Sequence, residues 1–382
     1  MLSFSCILTA SKNPDSAIAD SAFVLLQVVK NSFTMTEFAD PKLVDLIASR
    51  EGSVFVSIEF FPPKTAEGVN SLYKVLEKLK IYKPLFADVT WGAGGSTSDL
   101  TLELCKGIKE RGVVSNMHLT CTNMEAILID NALAGCKSAG IANILALRGD
   151  PPAGESVWHA SDKTLTCALD LVQYIRKDYS KQDLCLTVAG YPEGHPTSMS
   201  VVNEGISALS ESELTRYSID VNEKGEEVVL CCRDADFERE MKYLKSKIDA
   251  GADCIITQMI FDPHCYRTFV DACRAIGITV PIIPGIMCIS AYAGFKRMTK
   301  FCKSRVPDSM LKALEEANKA VDETAESVAE AANRVKELGV DLVEKLCRQF
   351  IELGAPGLHF YTLNSSIATT AVCDRLKQDQ VI

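Results

Sequence analysis

The chain has 382 residues, 47% hydrophobic and 24% charged, and acidic residues outnumber basic ones 50 to 40, for a net charge of −10. That composition supplies enough apolar mass for a large core, so it excludes a disordered protein and a small disulfide-stapled module. The acidic balance argues against a broad nucleic-acid footprint. No apolar run reaches the roughly 18 residues of a membrane helix, so neither nucleic acid nor membrane is an expected partner.

Residues 1–36 are rich in Ser and Ala, contain Asp15 and Asp20, and lack Arg. A transit peptide favours Arg and avoids acids. The segment reads as a flexible N-terminal extension, or as residues upstream of a start at Met35. A cytoplasmic location is expected, with organellar import as the alternative. The fifteen cysteines run from Cys6 to Cys373 without a Cys-x-x-Cys pair. They read as reduced core residues.

From residue 54 apolar runs alternate with segments of helical period. The runs are Val54–Phe60, Phe86–Trp91, Val114–Thr120, Asn143–Leu147, Leu184–Ala189, Cys254–Phe261, Val280–Ile286 and Gly357–Leu363. Helical stretches between them include Ala66–Lys80, Thr97–Arg111, Met124–Ala139 and Phe237–Ala250. Nearly all-apolar strands, each followed by an amphipathic helix, predict a parallel sheet covered by helices. Eight such units predict a closed (β/α)8 TIM barrel over residues 37–382, with an open doubly wound sheet as the alternative.

Two stretches break the rhythm. Residues 198–236 form an insertion after strand five, with a hairpin expected from Tyr217–Val221 and Glu227–Cys231 across Asn222-Glu223-Lys224-Gly225. Its place in a βα connection makes it a lid or a surface elaboration. Asp308–Asn333, rich in Ala and Glu, reads as an exposed helix or helical hairpin.

The C-terminal ends of the strands carry the site in a barrel of this kind. Polar groups collect there: Glu59, Asp88 and Thr90, His118, Arg148 and Asp150, Tyr191 and His195, Gln258, His359 and Tyr361. A carboxylate inside an apolar strand is costly unless paired or used. Their convergence suits a polar heteroaromatic ligand and acid–base work. No metal-binding spacing, P-loop or nucleophile elbow is found, so no metal ligand is expected.

The ordered set Glu59-Phe60-Phe61-Pro62-Pro63, Thr90-Trp91-Gly92-Ala93, His118-Leu119-Thr120-Cys121, Leu147-Arg148-Gly149-Asp150, Gly190-Tyr191-Pro192-Glu193-Gly194-His195-Pro196, Ile256-Thr257-Gln258 and His359-Phe360-Tyr361-Thr362-Leu363-Asn364 resembles the methylenetetrahydrofolate reductase family over about Val54 to Leu376. The resemblance implies a flavoprotein (β/α)8 barrel that reduces 5,10-methylenetetrahydrofolate to 5-methyltetrahydrofolate, supplying methyl groups for methionine synthesis. NADH or NADPH first reduces FAD and leaves, and the folate then takes its place in a ping-pong cycle.

By the same resemblance, Glu59 is the general acid and Asp150 the residue beside flavin and pterin. Thr90, Trp91, His118, Arg148, Gly149, Asp150, Ala168, Tyr191, His195, Glu240 and Lys247 are the implied FAD contacts. Asp150, Gln258, Met298 and Tyr361 are the implied substrate contacts. A homo-oligomer is expected.

Several positions depart from the family pattern. Glu240 stands for an Asp and Cys167 for a Tyr on the FAD side. Met298 stands for a Phe or Leu that packs on substrate, and Ser365 for an Arg that holds the folate's glutamate tail. Only Asn364–Ile382 follow strand eight, so no C-terminal regulatory domain, and no S-adenosylmethionine site, is expected. A flavin-free lyase using Glu59 and Lys247, and a non-catalytic paralogue that binds folate or a partner, are the rival readings.

Overall fold

The computed structural model describes residues 40–92, 98–122, 124–149, 163–222 and 224–382. A short helix, α1 (Leu43–Ala48), precedes five strands: β1 (Phe55–Phe60), β2 (Ala87–Val89), β3 (Ser115–Thr120), β4 (Asn143–Leu147) and β5 (Cys185–Gly190). Between them run α2 (Ala66–Leu79), α3 (Ser98–Glu110), α4 (Ala126–Ala139) and α5 (Ala168–Asp178). The insertion adds β6 (Ser200–Val201), β7 (Ser218–Val221) and β8 (Glu227–Cys231) before α6 (Asp234–Asp249). Then come β9 (Cys254–Met259), α7 (Pro263–Ala275), β10 (Ile282–Met287), α8 (Tyr292–Cys302), α9 (Asp308–Ala317), α10 (Ala325–Glu352), β11 (Gly357–Tyr361) and α11 (Ile367–Gln378).

Eight strands close in the order β1-β11-β10-β9-β5-β4-β3-β2, all parallel, so the (β/α)8 barrel read from the alternation is the observed fold and the open sheet is not. The second strand is shorter than its apolar run, ending at Val89. The Ala- and Glu-rich stretch forms α9 and the first turns of α10, which continues to Glu352.

The helices form where the pattern predicts. In α2 the Thr65 hydroxyl caps the first turn by accepting from the Gly68 N–H, and Leu72, Leu76 and Leu79 bury one stripe against the strands. The barrel's interior is filled in two layers. At its N-terminal end Phe55, Phe86, Leu145, Cys185, Cys254, Ile256 and Ile283 form an apolar plug, and Leu43 of α1 packs on it. Asn143 anchors α1 there: its Oδ1 accepts from Leu43 N at 2.8 Å and its Nδ2 donates to Pro41 O at 3.1 Å. Toward the C-terminal end the buried side chains turn polar, with Ser57, Asp88, Asn116, His118, Thr187, Thr257 and His359 all under water-excluding cover. Alternation along each strand separates these from the residues that face the helices.

The insertion folds as a three-stranded antiparallel sheet in the order β6-β8-β7, with Ile219 opposite Val229 as the expected hairpin requires. Val202, Tyr217 and Cys231 form a small core of their own. The Arg305 guanidinium stacks 4.3 Å from the Tyr217 ring and donates to Asp262 at 2.7 Å. Lys303 donates to Pro196 O at 2.6 Å, and Lys300 to Val221 O at 3.0 Å. The sheet is therefore clamped along the end of α8. At Gly194, φ is +97° and a Cβ would sit 2.5 Å from that of Cys232, so only glycine lets the insertion's last strand approach the turn after β5.

Candidate functional site

Parallel register sets Glu59 level with Asp88 on one side and Tyr361 on the other, and Ser57 level with His359. Four ionisable groups thereby meet in a ring. His118 Nε2 lies 3.1 Å from Asp88 Oδ2 and 3.5 Å from Glu59 Oε2. His359 Nε2 lies 3.6 Å from Glu59 Oε2 and 3.8 Å from Asp88 Oδ2. Carboxylates and imidazoles alternate. Ser57 Oγ and His359 Nδ1 share a hydrogen bond of 2.9 Å, and the His359 ring packs edge-on to Tyr361 at 5.2 Å.

Asp88 and His359 are completely buried, whereas the Glu59 side chain keeps 17% exposure, so Glu59 is the member that opens to the barrel mouth. Burial works against a cationic His118. The hydrogen bond to Asp88 and the charges of Glu59 and Asp88 outweigh it, and the imidazole's pKa ends above its ordinary value. The Glu59 backbone is pinned as well. Thr362 Oγ1 donates to Glu59 O at 2.6 Å, and the Asn364 amide both donates to Phe61 O and accepts from Phe61 N.

A cavity of ≈ 220 Å³ opens between the ends of β4 and β5 and helices α5 and α6. Arg148, Ala168, Tyr191, His195, Glu240 and Lys247, six residues named from the sequence, all line it, as does Cys167. Lys247 reaches in from α6, 4% exposed, and donates to Ala189 O at 2.9 Å. Burial lowers its pKa to about 8, with Glu240 opposing. His195 is lowered to about 4, by burial and then by the positive charges of Arg148, Lys247 and Lys303. It is therefore neutral, and its Nδ1 accepts from Thr197 N at 3.2 Å, which places the ring proton on Nε2. Ser198 Oγ donates to Glu240. Among the described residues the cavity wall thus carries the cations Arg148 and Lys247 and one carboxylate, Glu240.

Gly149 stands at φ +93°, where a Cβ would lie 2.6 Å from Thr122 Oγ1 and 2.9 Å from Thr120 Cβ, so a side chain is excluded there. Trp91 is 7% exposed. Its Nε1, like Thr120 Oγ1, has no hydrogen-bond partner among the described residues. Tyr361 of β11 donates across β10 to Thr257 O of β9 at 2.6 Å, and Gln258 Oε1, also on β9, accepts from Met259 N at 2.9 Å. Thr90 continues from β2, its N–H bonded to Phe60 O at 2.9 Å. Met298 packs from α8 against the core and belongs to neither the ring nor the cavity wall. Asp150 lies outside the described residues. Sequence reasoning placed Asp88 and His359 among the polar groups at the strand ends without giving them a role, and singled out no part for Ser57. Their signal was a polar residue inside an apolar strand, which marks a partner but not which one.

No helix among the described residues is long and apolar enough to cross a membrane. The fold and the strand-end site define a (β/α)8-barrel protein that carries an acid–imidazole ring and a cavity lined by Arg148 and Lys247 at the C-terminal ends of its strands. The methylenetetrahydrofolate reductase family model matches residues 42–377, and the chain belongs to that family. It is 42% identical over 326 residues to methylenetetrahydrofolate reductase (NADH) 1 of Arabidopsis thaliana, covering 85% of this chain and 48% of that protein. The corresponding Zea mays protein is 41% identical over 320 residues, covering 84% of this chain and 47% of that one. The chain thus spans about half the length of these plant relatives. The 5,10-methylenetetrahydrofolate reductase of Salmonella typhimurium is 32% identical, with 86% and 93% covered. Among solved structures, a Clostridium thermocellum protein described as binding two copies of 5-methyl-5,6,7,8-tetrahydrofolic acid aligns at TM-score 0.52 and 14% identity, over 88% of this chain and 98% of that one, which supports the fold.

Proposed function

We propose that the chain reduces 5,10-methylenetetrahydrofolate to 5-methyltetrahydrofolate with a reduced nicotinamide as electron source and FAD as the bound cofactor, nicotinamide and folate taking turns at one site. The product would carry methyl groups toward methionine synthesis. The observation that carries this reading is the convergence of Arg148, Ala168, Tyr191, His195, Glu240 and Lys247 on one cavity, at the same end of the barrel as Glu59.

The residues fit such a cofactor on their own chemistry. Arg148 and Lys247 are cations suited to a diphosphate, and the neutral His195 offers a ring N–H. Trp91 Nε1 and Thr120 Oγ1, buried and without a hydrogen-bond partner among the described residues, are polar atoms that a bound group can satisfy. Bound there, FAD would carry hydride from the nicotinamide to the folate. Glu59 supplies the proton that opens the folate's five-membered ring, held by Thr362 and by the ring of imidazoles behind it. Gln258 offers donor and acceptor together to the pterin edge, and Tyr361 walls that side. Asp150 is proposed to stabilise the cationic folate.

Glu59→Gln tests the assignment. It keeps shape but delivers no proton, and a general acid contributes about 10²–10⁴-fold. Stopped-flow should show normal bleaching of bound flavin by the nicotinamide and a folate half-reaction slowed by that factor. Equal rates in the folate half-reaction would remove Glu59 from the mechanism.

A further inference from the structure

We propose that His118 is the proton store for Glu59, and that Asp88 is the positioning residue that keeps His118 protonated. This rests on the reading of Glu59 as the acid. The geometry is that of a relay. His118 Nε2 is within 3.1 Å of Asp88 and 3.5 Å of Glu59, so one N–H can turn from one carboxylate to the other. Asp88 is fully buried, and its Oδ1 has no partner among the described residues. It is not among the residues lining the cavity. A buried carboxylate in that position is held only if a cation compensates it.

The groups facing His118 are Glu59 from β1, Asp88 from β2 and, across those two, His359 and Tyr361 from β11. On the β4 side Leu145 is its register partner, and Arg148 follows the strand. The raised pKa of His118 is in keeping with this arrangement. The step balances: the Nε2–H bond breaks as a Glu59 Oε–H bond forms, and that bond breaks as the folate nitrogen takes the proton. His118 ends neutral and regains its proton from solvent before the next turnover. Ser57 and His359 brace the opposite side, their 2.9 Å bond orienting the second imidazole toward the same two carboxylates.

The test combines histidine NMR with half-reaction kinetics. In the unsubstituted chain the His118 imidazole should titrate above the usual histidine range. In Asp88→Asn it should titrate at least about one unit lower, since a paired carboxylate shifts a neighbour by 1–3 units. The folate half-reaction of that variant should then fall about tenfold at pH 8 and recover at pH 6, because protonated His118 is lost at a lower pH. Should Asp88→Asn fold poorly, the titration of the unsubstituted chain still decides: a His118 that is neutral at pH 7 overturns the proposal. An unshifted pH profile in a well-folded Asp88→Asn overturns it too. Glu59→Gln separates the two ideas. If that variant is slow in the folate half-reaction while Asp88→Asn shows no shift, only the store is wrong. If Glu59→Gln is unimpaired, the acid assignment itself fails.

Discussion

Lys247 should make cofactor affinity fall with pH while the stability of the bare chain rises. Its ammonium is buried in the cavity with one carbonyl partner, and its pKa is lowered to about 8. An anionic diphosphate beside it favours the charged form, so binding draws on a proton that the empty protein has begun to lose at pH 8. From pH 7 to pH 9 the affinity for FAD should therefore drop about tenfold, or about 1.4 kcal/mol. Folding has the opposite sign. An unfolded lysine titrates near 10.4, so between pH 8 and about 10.5 the unfolded chain binds more protons than the folded one, and stability increases with pH. The gain is about 3 kcal/mol, fully present only above the unfolded pKa and absent below pH 8. Titration of the cofactor-free chain with FAD, followed by flavin fluorescence at constant ionic strength, measures the first effect. Urea unfolding with and without FAD measures the second. Lys247→Met should bind FAD about 10–100-fold more weakly at pH 7, the worth of a charge-assisted hydrogen bond, and lose both slopes relative to the unsubstituted chain. Affinity that is flat from pH 7 to 9 would refute the argument.

Two further outcomes concern the turn after β5 and the insertion. Glu193 is 3% exposed and its pKa is raised by burial to about 7, while its Oε1 accepts from Arg305 N at 3.1 Å. The folded chain then holds that proton more tightly than the unfolded one, so stability should fall by about 3 kcal/mol between pH 4.5 and 7. Glu193→Gln keeps the acceptor, and urea titrations at pH 5 and 8 should show the slope gone. Arg305→Ala leaves buried Asp262 without its cation and unstacks Tyr217. A loss of about 3–5 kcal/mol is expected, with limited proteolysis cutting first within residues 200–234. An insertion that stays protease-resistant in this variant would show that the clamp lies elsewhere.

Legibility from the sequence divides along physical lines. Strand, helix and hairpin positions are local properties: Asn143–Leu147 is apolar at nearly every position because both faces are buried, and Leu72, Leu76 and Leu79 repeat with the helical period. Those patterns sufficed for eight strands, a barrel and a hairpin from 217 to 231, and the ordered motifs sufficed for the family. The glutamate at 59 stood out because a carboxylate in an apolar strand needs a reason. What answers it lies elsewhere in the chain. Asp88, His118 and His359 come from three other strands, and only barrel closure with a defined register sets Glu59 level with Asp88 and Tyr361 and turns four side chains into one ring. The plug under Leu43 and the clamp between Arg305, Asp262 and Tyr217 are likewise contacts between segments with no shared periodicity. Titration behaviour belongs wholly to this second class. Nothing near Lys247 in sequence lowers its pKa, and nothing near His118 raises it. Burial and the charges brought alongside by folding do both.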